Sequence, residues 1–150
     1  MNDFQDKVAI VTGAGSGIGA AIARELAERG AVVIAADIDL AAAQDVASEI
    51  RGDGGRADAI EVDVADPEAA ERLVKFAVET GGGLHLAVNN AGIGGPNEAT
   101  ADYPLDDWKR VIDINLNGVF YGMKYQIAAM LESGGGAIVN LSSILGSVGW

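Results

Sequence analysis

The 150-residue sequence contains no cysteine and one histidine, and it is poor in basic residues. Ten Lys and Arg stand against 22 Asp and Glu, for a formal net charge of −12. Without cysteine there is no disulfide framework, no thiolate nucleophile and no thiolate metal site. His85 reads as a strand residue with no ligand role, and no metal site is expected. The shortage of Lys and Arg argues against nucleic acid and against an anionic membrane as partner, since both require basic patches. The surplus carboxylates read as a solvated acidic surface. No apolar run approaches the roughly 20 residues that span a bilayer. The stretch Met1–Lys7 lacks the basic and apolar regions of a signal peptide. A soluble cytoplasmic protein of one domain, long enough to bury a core, is the resulting expectation.

What the sequence does have is glycine in one telling place. The apolar run Val8–Val11 leads into Thr12-Gly13-Ala14-Gly15-Ser16-Gly17-Ile18-Gly19, and Ala20–Arg29 then reads as a helix closed by Gly30. A strand entering a glycine-rich turn that opens a helix aims backbone N–H groups and a positive helix end at one spot, which suits a pyrophosphate. The spacing is not the usual G-x-G-x-x-G, because counting from Gly13 puts Ile18 at the third glycine position. It is T-G-x-x-x-G-x-G, and a plain flexible turn is the rival reading. The context weighs against that rival. Val32–Ala36 reads as a second strand, and Asp37 at its end stands about 20 residues past the glycines, where a dinucleotide site places a carboxylate for the adenosine ribose.

The rest of the chain continues the alternation. Strands are expected at Lys7–Thr12, Val32–Ala36, Ala57–Val62, Leu84–Val88 and Ala137–Leu141. Helices are expected to about Arg29, over Leu40–Arg51, from Asp66-Pro67-Glu68 to Gly81, and as one long helix over Leu105–Glu132. Leu73, Val74, Ala77 and Val78 are expected to line the buried face of the third helix. The long helix carries an unusually broad apolar surface from Trp108 to Leu131. This pattern predicts an α/β, Rossmann-type doubly wound parallel sheet of order 3-2-1-4-5 over residues 1–150. Ligands bind such sheets at the carboxyl ends of the strands, beside the switch point. Gly13, Asp37, Asp63, Asn89, Asn90, Ser142 and Ser143 all fall at those ends, which points to one composite site.

At this stage the chain resembles the typical NAD-dependent short-chain dehydrogenases/reductases. The resemblance rests on Thr12-Gly13-x-x-x-Gly17-x-Gly19, Asp63-Val64, Asn89-Asn90-Ala91-Gly92, the helical Asn115 and Ile138-Val139-Asn140-Leu141-Ser142-Ser143. It implies that Gly13, Ser16, Gly17, Ile18 and Gly19 wrap the pyrophosphate and that Asp37 holds the adenosine ribose. It further implies that Asp63 and Val64 contact adenine and that Asn90 and Gly92 lie along the nicotinamide-side ribose. Ser143 would hydrogen-bond the substrate oxygen, and Asn115 would help hold a proton-relay water. Asp37 would repel a 2′-phosphate, so NAD(H) is expected over NADP(H). Each residue also has a plainer reading: Asp63 as a turn acid, Asn89 or Asn90 as a tie between loops and sheet, Asn115 as a structural polar residue, Ser142 and Ser143 as a turn.

One family element is missing. The Tyr-x-x-x-Lys acid/base pair follows the active serine by about a dozen residues in the family, and Trp150 comes first. Tyr103, Tyr121 and Tyr125 have no lysine four places on. A phenol needs a neighbouring cation to act as a base near neutral pH. Residues 1–150 therefore read as the N-terminal part of a longer polypeptide, lacking the remaining strands of the family fold. The fifth strand would be an open edge, and the long helix would lack its neighbour. The resemblance implies a homodimer or homotetramer acting on a small-molecule alcohol or ketone. A non-catalytic NAD-binding module, or an interaction protein built on the long helix, is the alternative.

Overall fold

Five short strands form, mostly apolar except where charged residues alternate along β3: β1 Val8–Thr12, β2 Val32–Asp37, β3 Arg56–Glu61, β4 Leu86–Asn89 and β5 Ala137–Asn140. They are seen in a computed structural model that describes residues 3–146 and 148, apart from the side chain of Leu145. Met1, Asn2 and Trp150, on which the leader and chain-end readings touch, lie outside the described residues. All strand pairs are parallel and the order is β3-β2-β1-β4-β5, as the sequence predicts. Ile10 of β1 lies between Ile34 of β2 and Ala87 of β4, so the register sets two of the largest fully buried side chains, Ile10 and Ile34, side by side at the sheet centre.

Parallel strands require crossovers. These are helices α1 Gly17–Glu28, α2 Leu40–Gly52 and α3 Pro67–Gly81, followed by α4 Leu105–Ile112 and α5 Gly118–Glu132. The two-residue period of β1 divides the core. Ala9 and Val11 pack with Ala20, Ala23 and Ala27 of α1 and with Ala43, Val46, Ala47 and Ile50 of α2. Val8 and Ile10 face the other way, toward Leu73, Val74 and Ala77 of α3 and Ala129 and Met130 of α5. Every residue of β1 is buried, which is why it reads as an unbroken apolar run rather than an alternating one.

Three expectations are corrected. The helix foreseen from Leu105 to Glu132 is not uniform, because a π-helical turn at Asp113–Asn117 joins α4 to α5. Hydrophobic periodicity continues through that turn, so the pattern carries no sign of it. Val78 does not belong to the buried face of α3 and is 37% exposed. It lies one residue, about 100° of helical rotation, beyond Ala77 and falls on the rim of the apolar stripe. Finally, His85 precedes β4 rather than lying within it.

The open edge is where the sequence places it. Among the described residues β5 pairs with β4 alone. Val139 of β5 and Trp108, Leu116, Phe120, Ile127 and Leu131 of the last helices are exposed. Behind this face sits a polar lock. Gln126, fully buried, donates from Nε2 to Asn89 Oδ1 at 2.8 Å and accepts from Asn89 Nδ2 at 3.1 Å. Asn89 Nδ2 also donates to Asn140 Oδ1 at 2.8 Å, tying α5, β4 and β5 together. Among the described residues no buried polar side-chain atom lacks a partner, and no helix is long and apolar enough to cross a membrane.

His85 pins the amino end of the central strands, between β1 and β5. Its Nδ1 accepts the Val8 N–H at 3.1 Å, its own N–H donates to Val8 O at 3.0 Å, and its carbonyl accepts from Ala137 N–H at 2.9 Å. Burial, with the nearby Lys7 ammonium, pushes the imidazole below its ordinary value of 6.5. A proton on Nδ1 would face another donor, so folding favours the neutral ring. The unfolded chain takes up this proton near pH 6.5 while the folded chain resists it. The stability this ring contributes is therefore present in full above about pH 6.5 and is lost as pH falls from there through the lowered folded value. Chemical denaturation at a series of pH values from 7.5 to 5 is expected to show this slope, and His85→Gln is expected to flatten it. An equal slope in both proteins would remove His85 as its source.

Candidate functional site

The turn between β1 and α1 is built by close approach. Gly13 has φ +65°, a left-handed conformation that favours glycine. A Cβ on Gly19 would lie 2.0 Å from Gly13 O and 2.5 Å from Asn90 Nδ2, so the first turn of α1 sits directly on the turn before it. The loop after β4 completes the joint. Asn90 Nδ2 donates to Thr12 O at 2.9 Å and to Gly13 O at 3.2 Å. The N–H groups of Asn90 and Ala91 both donate to Thr12 Oγ1 at 3.1 Å.

The start of α1 differs from the other helix starts that follow a loop. Asp39 accepts from Ala42 N–H to cap α2, Asp66 accepts from Glu68 N–H to cap α3, and α4 has Asp106 and Asp107 in its first turn. Helix α1 begins after Ser16, whose side chain makes no capping bond, and has no acid in its first turn. Its N–H groups and positive dipole end carry no compensating charge of their own.

Asp37 closes β2 beside this helix start. Its Oδ2 accepts the Gly15 N–H at 2.8 Å and its Oδ1 accepts the Asp39 N–H at 3.0 Å. Two bonds fix the carboxylate and leave further lone pairs for hydroxyl donors. Asp63 is held by the N–H of Ala65 at 2.9 Å, so the turn-acid reading and the site reading apply to the same residue.

These parts surround one cleft of about 420 Å³. Of the ten cofactor residues expected from sequence, nine line it: Gly13, Ser16, Gly17, Ile18, Asp37, Asp63, Val64, Asn90 and Gly92. The tenth, Gly19, is buried beneath the turn. Asn115 and Ser143 are not among the lining residues. Asn115, in the π turn, accepts the Ile93 N–H at 2.9 Å and donates to Ile93 O at 2.8 Å, and Ile93 lines the cleft. Its side chain is thus a strut for the loop after β4. Ser143 stands exposed past the carboxyl end of β5, on the same sheet edge, just before the 3-10 turn Ile144–Gly146.

Sequence reasoning missed Thr12 as the joint of the site, and it missed Ile93, Arg110 and Ile114 in the cleft wall. One signal was available. Arg110 and Ile114 are four apart on a helix and share a face with the turn that carries Asn115. On the neighbouring rim the Lys109 ammonium bonds Asp113 and, with the Asn117 amide, holds that carboxyl below the ordinary carboxylate range. An uncapped helix end, a fixed carboxylate about one strand away and an apolar-walled crevice fit an elongated anionic ligand with hydroxyl groups. A dinucleotide meets that description.

Comparison with known proteins agrees in kind. A family model described as short chain dehydrogenase matches residues 7–150. Cyclohexanol dehydrogenase of Acinetobacter sp. (strain SE19) is 52% identical over 148 residues, covering 99% of this chain and 59% of that protein. Cis-4-hydroxycyclohexanecarboxylate dehydrogenase of Sinomonas cyclohexanicum is 46% identical over 146 residues, covering 97% of this chain and 58% of that one. A crystal structure of NAD+-bound xylitol dehydrogenase superposes with a TM-score of 0.94 at 36% identity, over 99% of this chain and 57% of that chain. The chain spans about three fifths of the length of these relatives.

The packing at Gly19 gives a direct test of the turn. Gly19→Ala drives a methyl group into backbone and is expected to lower stability by about 1–3 kcal/mol, the usual range for overpacking. Gly52→Ala, at a helical position with no heavy atom within 4 Å of the added carbon, is expected to be neutral or slightly stabilising. Urea denaturation of the two variants makes the comparison. A Gly19→Ala loss no larger than that of Gly52→Ala would mean that the turn yields at no cost.

Proposed function

The chain belongs to the short-chain dehydrogenase family, and from that premise we propose that it supplies the NAD(H)-binding half of an enzyme interconverting a ring secondary alcohol and its ketone. The observation that carries this reading is the single cleft into which the uncapped end of α1 and the Asp37 carboxylate both open. The anionic middle of the cofactor would lie against the N–H groups of residues 17–19. The adenosine ribose hydroxyls would donate to Asp37, whose fixed charge disfavours a 2′-phosphate and so favours NAD(H) over NADP(H). Adenine would sit by Asp63 and Val64, and the second ribose by Asn90 and Gly92. Bound NAD+ would accept a hydride from the alcohol carbon. Ser143 would hydrogen-bond the reacting oxygen, while Asn115 would keep the loop after β4 in place beside a relay water.

The substrate class rests on the two relatives named for cyclohexane-ring alcohols, at 52% and 46% identity. Proton transfer is assigned to a Tyr-x-x-x-Lys pair that none of Tyr103, Tyr121 and Tyr125 forms. Alcohol oxidation is therefore expected of a polypeptide that carries this pair in addition to residues 1–150. The exposed apolar face of the last helices supports the homo-oligomer that family membership implies.

Calorimetric titration tests the cofactor half. NADH is expected to bind at least about tenfold more tightly than NADPH, and Asp37→Ser is expected to narrow or abolish that gap. Tighter binding of NADPH by the unaltered protein would sink the NAD(H) assignment. Absorbance at 340 nm with NAD+ and cyclohexanol, on protein carrying the Tyr–Lys pair, tests the chemistry. No rate with any ring alcohol would sink the substrate class.

A further inference from the structure

Among the described residues, five of the six arginines are engaged. Arg24 pairs with Glu49, Arg29 with Glu25 and Asp3, Arg56 with Asp6 and Arg72 with Asp66, while Arg51 donates to Ala57 O and Ser48. Arg110 makes no ion pair or hydrogen bond there, in a chain with 22 acidic residues. Asp106 lies one turn before it and Asp113 three residues after it. Asp113 is taken by Lys109 and Asn117. A guanidinium left unpaired amid carboxylates is held for another contact or serves none.

Its position narrows the choice. Arg110 lines the 420 Å³ cleft, and it also lines an adjoining groove of about 260 Å³. The residues common to both spaces are Ile38, Asp63, Arg110 and Ile114. Ile38 follows Asp37, and Asp63 follows the neighbouring strand β3. Arg110 therefore stands at the adenosine end of the cleft, away from Asn90 and Gly92. At that end Ile38 is 65% exposed, an apolar surface without a partner. Ile114, on the same helix face as Arg110, contributes a second apolar wall. A flat, apolar-faced, electron-rich ring suits such a slot, and a planar guanidinium stacks on such a ring.

We propose that Arg110 is a specificity-determining residue that stacks its guanidinium on the adenine ring of the bound dinucleotide at the outer end of the cleft. This deepens the NAD(H) reading and rests on it. The contact is with the base, so it should be felt equally by every ligand that carries adenine. It should be indifferent to the nicotinamide and to a 2′-phosphate.

The test is calorimetric binding of NADH, NADPH, AMP and nicotinamide mononucleotide to wild type, Arg110→Met and Arg110→Lys. Circular dichroism melts check that each variant is folded, and the exposed position of Arg110 makes loss of the fold unexpected. Arg110→Met is expected to weaken NADH and AMP by the same factor, about two- to fivefold for an exposed cation–π contact. Nicotinamide mononucleotide should be unaffected. Arg110→Lys should restore only part of the loss, because the charge returns without the plane. Unchanged NADH and AMP binding in Arg110→Met, with wild type binding both, overturns the assignment alone. A loss confined to NADPH overturns it in favour of 2′-phosphate recognition. Full rescue by Lys, with the effect vanishing in about 0.5 M salt, overturns it in favour of long-range charge. A wild type that binds none of the adenine ligands overturns the cofactor reading and this assignment together.

Discussion

The hydroxyl of Thr12 is the joint on which the cleft depends. One oxygen atom at the end of β1 accepts the N–H groups of both Asn90 and Ala91, and the amide of Asn90 returns to the backbone of Thr12 and Gly13. β1 and β4 are the strands from which the sheet grows in opposite directions, toward β2 and β3 on one side and toward β5 on the other. The loops that leave such a pair diverge, and their divergence makes the crevice. Left to itself, that divergence would leave two backbone donors and the glycine turn without support. Thr12 supplies the acceptor from a β-branched residue that the strand already favours, and it is buried, so the bonds are shielded from water.

The same logic runs one layer deeper. Asn89 points away from the cleft into the pairing with Gln126 and Asn140, and Asn90 points into it. Successive residues on a strand end face opposite sides, so two adjacent asparagines can serve two purposes. One locks α5 and β5 to the sheet, and the other holds the turn. The lock matters for position. Among the described residues β5 is paired with one neighbouring strand only, and Ser143 follows its carboxyl end. A half-paired strand relies on side-chain bonds to keep its register.

Much of this was legible in the chain. The strand order, the helix starts near Leu40 and at Asp66 and the gathering of Gly13, Asp37, Asp63 and Asn90 at one end of the sheet follow from periodicity, capping chemistry and the rules for parallel sheets. What escaped has physical reasons. The π turn at Asp113–Asn117 leaves hydrophobic spacing undisturbed and is visible only in backbone hydrogen bonding. The buried Gln126 looks like any polar residue in a helix until Asn89 is placed opposite it. Val78 obeyed the helical period but overran the width of the surface it packs on. The four-residue spacing of Arg110 and Ile114 puts them on one helix face, but that this face walls the cleft depends on how α4 and the π turn are set against the loops after β2 and β3, a tertiary relation that spacing alone does not encode.

The charge balance poses a final question: how a chain of net charge −12 could offer a site to an anion. The answer lies in range. The surface carboxylates are exposed and their fields fade over about 8 Å in physiological salt. Backbone N–H groups at a helix start act at contact distance, inside a crevice where water is partly excluded. What matters is which carboxylates reach that contact zone. Helices α2 and α3 neutralise their own starts with Asp39 and Asp66, and α4 does so with Asp106 and Asp107. Helix α1 has a serine and glycines in the corresponding places. The nearest acid, Asp37, is turned by the N–H groups of Gly15 and Asp39, and it meets the cleft as a localised acceptor instead of capping the helix. An acidic surface and an anion-accepting crevice are therefore compatible, because composition sets the first while the choice of a few residues at one helix start sets the second.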